Sequence, residues 1–372
     1  MTRLSICETL NDVSAEQWNA LAGDTNPFIQ HEFLLAFETG ECLQSYGWYP
    51  KYFLIYSDND ELIGAMPAYE KHNSYGEFVF DWAWADAYQR AGLQYYPKLV
   101  ISIPYSPCQG PRILAKDNST EIKSYLVKFA LDFAAKNNYS SAHWLFNLED
   151  DFNVLKQHTR LHRFDYQFHW TNHNYQNFDD FLSTLTSKKR KNIKQERRKV
   201  SDQNIEIKTF NGTELIPEQW ERIYHFYQIT FMKKSGSPTL SLEFFKAIAS
   251  KLLIIFAYND NEAVAGAICI IGKDTLYGRH WGCYENFDSL HFEVCYYTGI
   301  EYCIKHGLKT FEPGAQGEHK IARGFLPVKT HSAHWVAHPE FNLILVDHLQ
   351  RENHALEEYG TDLMNASPYR ES

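Results

Sequence analysis

The sequence repeats itself at long range, and nothing else in it constrains the fold as tightly. At an offset of 202 residues, Glu16-Gln17-Trp18 aligns with Glu218-Gln219-Trp220. At the same offset Tyr56, Asp58, Asn59, Gly64 and Ala65 align with Tyr258, Asp260, Asn261, Gly266 and Ala267, and Tyr75-Gly76 aligns with Tyr277-Gly278. Solenoid repeats are far shorter, so a period this long belongs to two similar domains. The 372 residues are enough for both to bury a core. Two related domains also create a cleft between them, where ligands commonly bind.

Composition narrows the class. The seven cysteines are scattered and include no CxxC, which fits reduced thiols and a cytoplasmic location. The first residues form no long apolar run, so no signal peptide is expected, and no stretch approaches the roughly 18 apolar residues of a membrane span. The net charge of −10 argues against bulk nucleic-acid binding. No HExxH or paired Cys/His spacing is present, so no metal is expected, and GxSxG and an early GxGxxG are also absent.

The patterning predicts an α+β fold with a mixed sheet, written twice. In the first copy, Ser14 and Gln17 form an S-x-x-Q capping box that opens a helix. Strands follow at 51–56, 62–69 and 75–84 as an antiparallel meander. A helix is expected over 120–136, where Ile122, Leu126, Phe129, Ala130 and Phe133 recur at helical spacing, and then a strand at 141–147. The second copy repeats this order, with strands at 205–210, 252–258, 263–271 and 275–284, a helix over 290–306 and a strand at 310–312. The expected domains are 1–175 and 204–372, joined by a basic linking helix at 176–203. An aromatic insert at 85–117 has no counterpart in the second copy and reads as a long irregular loop able to roof a neighbouring cleft.

Three constellations could carry chemistry. Residues 187–199 include eight cations and one acid, and Phe178, Leu182, Leu185, Ile193 and Val200 fall near one face. Lys188, Lys189, Arg190 and Lys191 are therefore candidate anion-binding residues on an amphipathic helix, with a solvated helix paired to acidic neighbours as the alternative. The second constellation is the turn after strand 310–312. There Gly314 and Gly317 permit close backbone approach, and Glu312, Gln316, Gly317, His319, Lys320 and Arg323 converge at a strand's carboxyl end. Glu312, His319 and Lys320 are its catalytic candidates. The third set comprises Arg279-His280-Trp281, in which Arg279 and Trp281 share a strand face, with His291 and Glu293 on the next helix and Asp81, Asp86, Tyr88 and Lys98 as polar residues of the first copy.

The order of elements in each copy resembles the GNAT acyltransferase fold. Asn26-Pro-Phe28, Ser74-Tyr-Gly-Glu-Phe-Val-Phe-Asp81, Trp84-Ala-Asp-Ala-Tyr88, Tyr95-Tyr-Pro-Lys98, Arg190-Lys-Asn-Ile-Lys194, Tyr277-Gly-Arg279, Trp281-Gly282 and Gly314-Ala-Gln-Gly-Glu-His-Lys320 resemble FemAB-like N-acyltransferases of the peptidoglycan biosynthesis or recognition type, over roughly residues 10–350. The resemblance implies two tandem GNAT-like domains and transfer of an acyl or aminoacyl group from an activated donor to an amine, with a peptidoglycan precursor as the implied acceptor. The Fem ligases use aminoacyl-tRNA. Coenzyme A-dependent GNAT proteins carry a Gln/Arg-x-x-Gly-x-Gly/Ala loop, whereas this chain has Gly282-Cys-Tyr-Glu-Asn-Phe-Asp-Ser289 at that place. No cofactor is assigned, and acyl-CoA is kept as a candidate co-substrate beside tRNA. Peripheral contact with a lipid-linked precursor is a further expectation. The rival expectation is a non-catalytic module that recognises a peptidoglycan precursor or RNA.

Overall fold

A computed structural model describes residues 2–233, 236–285, 287–314 and 317–370. The chain folds into two compact units. The first contains Met1–Asp165 and Lys329–Glu358, and the second contains Tyr166–Val328 and Tyr359–Ser372.

In the first unit, Arg3–Cys7, Tyr52–Tyr56, Leu62–Met66 and Leu114–Ala115 form an antiparallel sheet. A second sheet runs from Trp48–Pro50 through Tyr69–Lys71 and Lys98–Ile101 to Ser141–Asn147, then to the end of Leu326–Val336. Lys98–Ile101 and Ser141–Asn147 are parallel. Parallel neighbours need a long crossover, which the helix Thr120–Lys136 supplies. Ser119 caps that helix, which buries Leu126, Val127, Ala130 and Ala134 in a core with Phe53, Ile55, Leu99, Ile101 and Trp144.

The second unit repeats this plan. Ile205–Asn211, Leu252–Asn259, Glu262–Ile271 and Thr275–Cys283 form an antiparallel meander. Its second hairpin closes through Asp260 and Asn261, at φ +49° and +67°. Such left-handed pairs suit a two-residue hairpin loop. Thr310–Glu312 joins parallel to Thr275–Cys283 after the helical crossover 290–306, and residues 170–171 pair antiparallel on its other side. The crossover contains a π-helical turn, Glu293–Tyr297, an irregularity frequent at functional sites.

The repeat is visible in the hairpins Tyr52–Met66 and Leu252–Ile271 and in the helices carrying Trp18 and Trp220, both buried. It breaks at Tyr75-Gly76. Tyr277-Gly278 lies in a strand, whereas Tyr75-Gly76 lies in a turn, so the expected strand 75–84 does not form. Glu77 and Asp81 turn inward to Lys98, and the helix Trp82–Arg90 follows. The insert 85–117 is likewise not an irregular loop. It supplies most of that helix and the strand Lys98–Ile101, all four residues of which are buried in the sheet.

The units also cut across the expected boundaries at 175 and 204. Residues 331–336 pair with Ser141–Asn147, and Leu345 and Leu349 of the helix Pro339–Asn365 pack with Trp84, Tyr88 and Tyr95, so 329–358 counts with the first unit. The linking segment forms two helices, Phe178–Ser183 and Ser187–Asp202, built into the second unit's core through Phe181, Leu182, Ile193 and Val200.

Candidate active site

Glu312 ends its strand, which lies between Thr275–Cys283 and residues 170–171 in the second unit's sheet, opposite Tyr277. It is 2% exposed. Its Oε1 accepts a hydrogen bond from Arg279 Nη2 at 2.9 Å, and His169 Nε2 lies 3.7 Å from Oε2. A buried carboxylate needs such partners. The chain then turns through Gly314 at φ +95° and Gly317 at φ +116° into the short helix Glu318–Arg323. A Cβ on Gly317 would sit 2.4 Å from the His319 ring, which would have to swing aside, and the φ of +116° itself favours glycine here. Gln316 lies outside the described residues.

Lys320 is 2% exposed, and its Nζ donates to the Gly314 carbonyl at 2.6 Å. Burial, followed by the Arg279 charge, pushes its ammonium down to about 8. The neighbouring His319 points to the surface, with Nε2 2.9 Å from the Tyr296 hydroxyl. Partial burial and the Arg323 and Lys320 charges hold its imidazolium below the usual range. His291, with burial foremost, is pushed down to about 4 and stacks edge-on against Trp281 at 5.4 Å. At neutral pH the cluster therefore presents two neutral imidazoles beside a buried ammonium.

The other nominated residues divide. Arg279 joins Glu312, and Trp281 joins His291. Glu293 and Arg323 instead hold the basic helix: Arg197 bonds Glu293 at 2.8 Å and Glu301 at 2.6 Å, and Arg323 bonds Glu196 at 2.7 Å. Along that helix, Lys194, Arg198 and Lys199 pair with Asp179, Asp202 and Asp288. Lys188, Lys189, Arg190 and Lys191 have no carboxylate within ion-pair distance among the described residues. In the first unit Asp81 and Lys98 meet at 2.5 Å, whereas Asp86 is exposed on the helix Trp82–Arg90 and Tyr88 packs on Phe341 at 4.3 Å. Sequence reasoning missed His169, Glu77 and Tyr296. Each is brought in by a strand pairing, an ion pair or a helix turn distant in sequence.

The paired meanders and parallel crossovers define a tandem GNAT-like protein, the acyltransferase fold, with a polar cluster at the end of one central strand. Comparison with known families and structures places it further. The chain matches the FemAB-like model, described as peptidoglycan biosynthesis/recognition, over residues 9–371, and it belongs to that family. Among solved structures it resembles FemX (TM-score 0.55, 10% identity, 92% of this chain and 100% of that one). It also resembles L-PGS from Bacillus licheniformis (0.52, 10%, 88% and 98%). A tandem GNAT protein from the clavulanic acid biosynthesis pathway is a third such structure (0.50, 10%, 91% and 99%). No curated protein matches by sequence. No helix among the described residues is long and apolar enough to cross a membrane.

Proposed function

We propose that this protein transfers an aminoacyl or acyl group from an activated donor to an amine acceptor, a peptidoglycan precursor being the acceptor that its family suggests, and that the reaction is run by the second unit's cluster at Glu312, His319 and Lys320. The observation that carries this reading is the pairing of a neutral, surface-reaching His319 with a buried Lys320 on one short helix at a strand's carboxyl end.

An amine attacks an ester or thioester carbonyl directly once the two are held together, and positioning supplies much of the rate. No protein nucleophile is needed. In the tautomer that donates Nε2–H to Tyr296, the Nδ1 of His319 is unprotonated. It accepts the amine's proton as the C–N bond forms, and returns it to the leaving alkoxide or thiolate as the tetrahedral intermediate collapses and the ester C–O or thioester C–S bond breaks. The Lys320 ammonium stabilises the oxyanion that forms on the carbonyl carbon's oxygen. Glu312, fixed by Arg279, holds the local charge balance around Lys320. Arg279, Trp281 and Gly317 would then contact the substrate from the surrounding strand and turn.

A phosphate-rich donor fits the four cations at residues 188–191, which lie at the N-terminal, positive end of their helix. The place where a coenzyme A-binding loop would lie ends instead in the Asp288–Lys199 ion pair. Aminoacyl-tRNA and acyl-CoA both carry phosphates that these cations can hold, so the donor is what the test separates. The test is to incubate the purified protein with labelled aminoacyl-tRNA or acyl-CoA together with UDP-linked peptidoglycan precursors and to search for a new amide by mass spectrometry. Amide formation with either donor supports transfer. Tight precursor binding with no product from any donor would make the protein a recognition module instead.

A further inference from the structure

The first unit holds a cavity of about 390 Å³ that takes no part in the chemistry above. Three pieces of chain line it. His158 and Arg160 precede the strand that begins at Leu161, His334 and Val336 end the strand Leu326–Val336, and Asn342 and Leu343 lie in the first turns of the helix Pro339–Asn365. A volume of this size suits a small molecule. The His334 wall is rigid, because its ring is held by His143 at 2.7 Å and by Ser332 at 3.0 Å.

Among the described residues no Asp or Glu lines this cavity, and Arg160 is its one fixed charge. Burial, followed by the Lys128 charge, lowers the His158 imidazolium, and burial, followed by His143, lowers that of His334 further, so both rings are neutral at pH 7. Arg160 is exposed and makes no hydrogen bond or ion pair among the described residues, and the Asn342 side-chain amide likewise has no partner there. A second cavity of the same unit differs: its Lys116 and Lys123 are each matched, to Glu61 and Asp151. The apolar part of the wall is Val336, which is buried, and Leu343, which is 65% exposed. An aliphatic side chain left in water gains by being covered. A guanidinium matches the two oxygens of a carboxylate in one plane, and one unpaired cation balances one negative charge rather than the two of a phosphate dianion.

We infer that this cavity binds a monocarboxylate carried on a short apolar chain, with the carboxylate accepting from Arg160 and Asn342 and the chain covering Val336 and Leu343. Such a group ends both a free aliphatic acid and a peptide whose last residue is apolar. The site lies wholly within the first unit, and binding requires no donor, no amine and no turnover.

Titration calorimetry on the full chain with n-hexanoate, N-acetyl-leucine, hexanamide and acetate tests the inference. We expect saturable binding of at least one of the first two, and the tighter of them tells the free acid from the peptide end. Hexanamide, which has the chain without the charge, should bind weaker than n-hexanoate by roughly 10-fold or more. Acetate, which has the charge without the chain, should also bind weaker by roughly 10-fold or more. Arg160→Gln should weaken the tighter carboxylate by roughly 10- to 100-fold, the scale of a charged hydrogen bond. Leu343→Ser, on the exposed side of its helix, should weaken it several-fold and keeps the test open if Arg160→Gln fails to fold. Absent binding of both carboxylates, equal affinity for n-hexanoate and hexanamide, or unchanged affinity in either folded variant would each overturn the site. A protein that forms amides yet fails these tests keeps the transferase reading and loses this one.

Discussion

Lys320 is buried without a carboxylate at ion-pair distance among the described residues, unlike the cations of the basic helix beside it. Such a group costs stability and persists where function requires it. Its ammonium is pushed down to about 8, so folding favours the neutral amine more than the unfolded chain does, although the ammonium still predominates at pH 7. A depressed lysine contributes stability fully above its unfolded pKa and loses it as pH falls through the folded one. Lys320→Met should therefore melt at or above the wild-type temperature at pH 7, and the gap should close as pH rises toward 10. A variant that melts well below wild type at pH 7 would mean that the ammonium is structural. His143 offers the matching test in the first unit. It is 2% exposed, bonded to His334 at 2.7 Å, and pushed down to about 3 by burial and by Lys98. Its stabilising contribution is complete above about pH 6.5 and falls as pH drops, by about 2 kcal/mol at pH 5. His143→Gln should show a shallower fall in melting temperature between pH 7 and 5 than wild type, and parallel profiles would contradict the neutral assignment.

Among the elements, the helix Ser187–Asp202 divides its cations between paired and unpaired positions. Its C-terminal half is a paired structural face, and its first turn carries unpaired charge. Replacing Lys188, Lys189, Arg190 and Lys191 with Gln should weaken tRNA binding and flatten its dependence on salt, since each phosphate contact adds to that slope. A quadruple variant with the same salt slope as wild type would leave these cations merely solvated. Folding should be unaffected, because Ile193 and Val200 anchor the helix. The helix Thr120–Lys136 and the hairpins were legible in the sequence because local signals agree there: a Ser cap, helical spacing, and turn residues between apolar runs. The segment 75–82 was not. Its alternating pattern reads as a strand, but Lys98, paired to both acids from a different strand, decides its path. The same holds at Glu312, whose partners Arg279 and His169 arrive on two neighbouring strands.

For the molecule as a whole, the duplication was legible and the boundaries were not. Each unit takes a strand from beyond its own half of the sequence: residues 329–336 in the first unit and 166–171 in the second. A split at the linking segment would sever both pairings. The prediction is that separately expressed 1–175 and 204–372 each show lower melting temperatures than the full chain or fail to fold, as calorimetry would register. The two units share a plan but differ in chemistry: the second has the Gly-flanked His319 and Lys320, and the first has two buried acids on one lysine. The decisive measurement is the rate of amide formation by wild type, His319→Ala and Lys320→Ala, each confirmed folded, on a donor and amine that wild type converts. Loss of about 10²-fold or more in both variants is expected, the scale of one acid–base group or one oxyanion donor. Full activity in both would contradict the placement of the chemistry in the second unit.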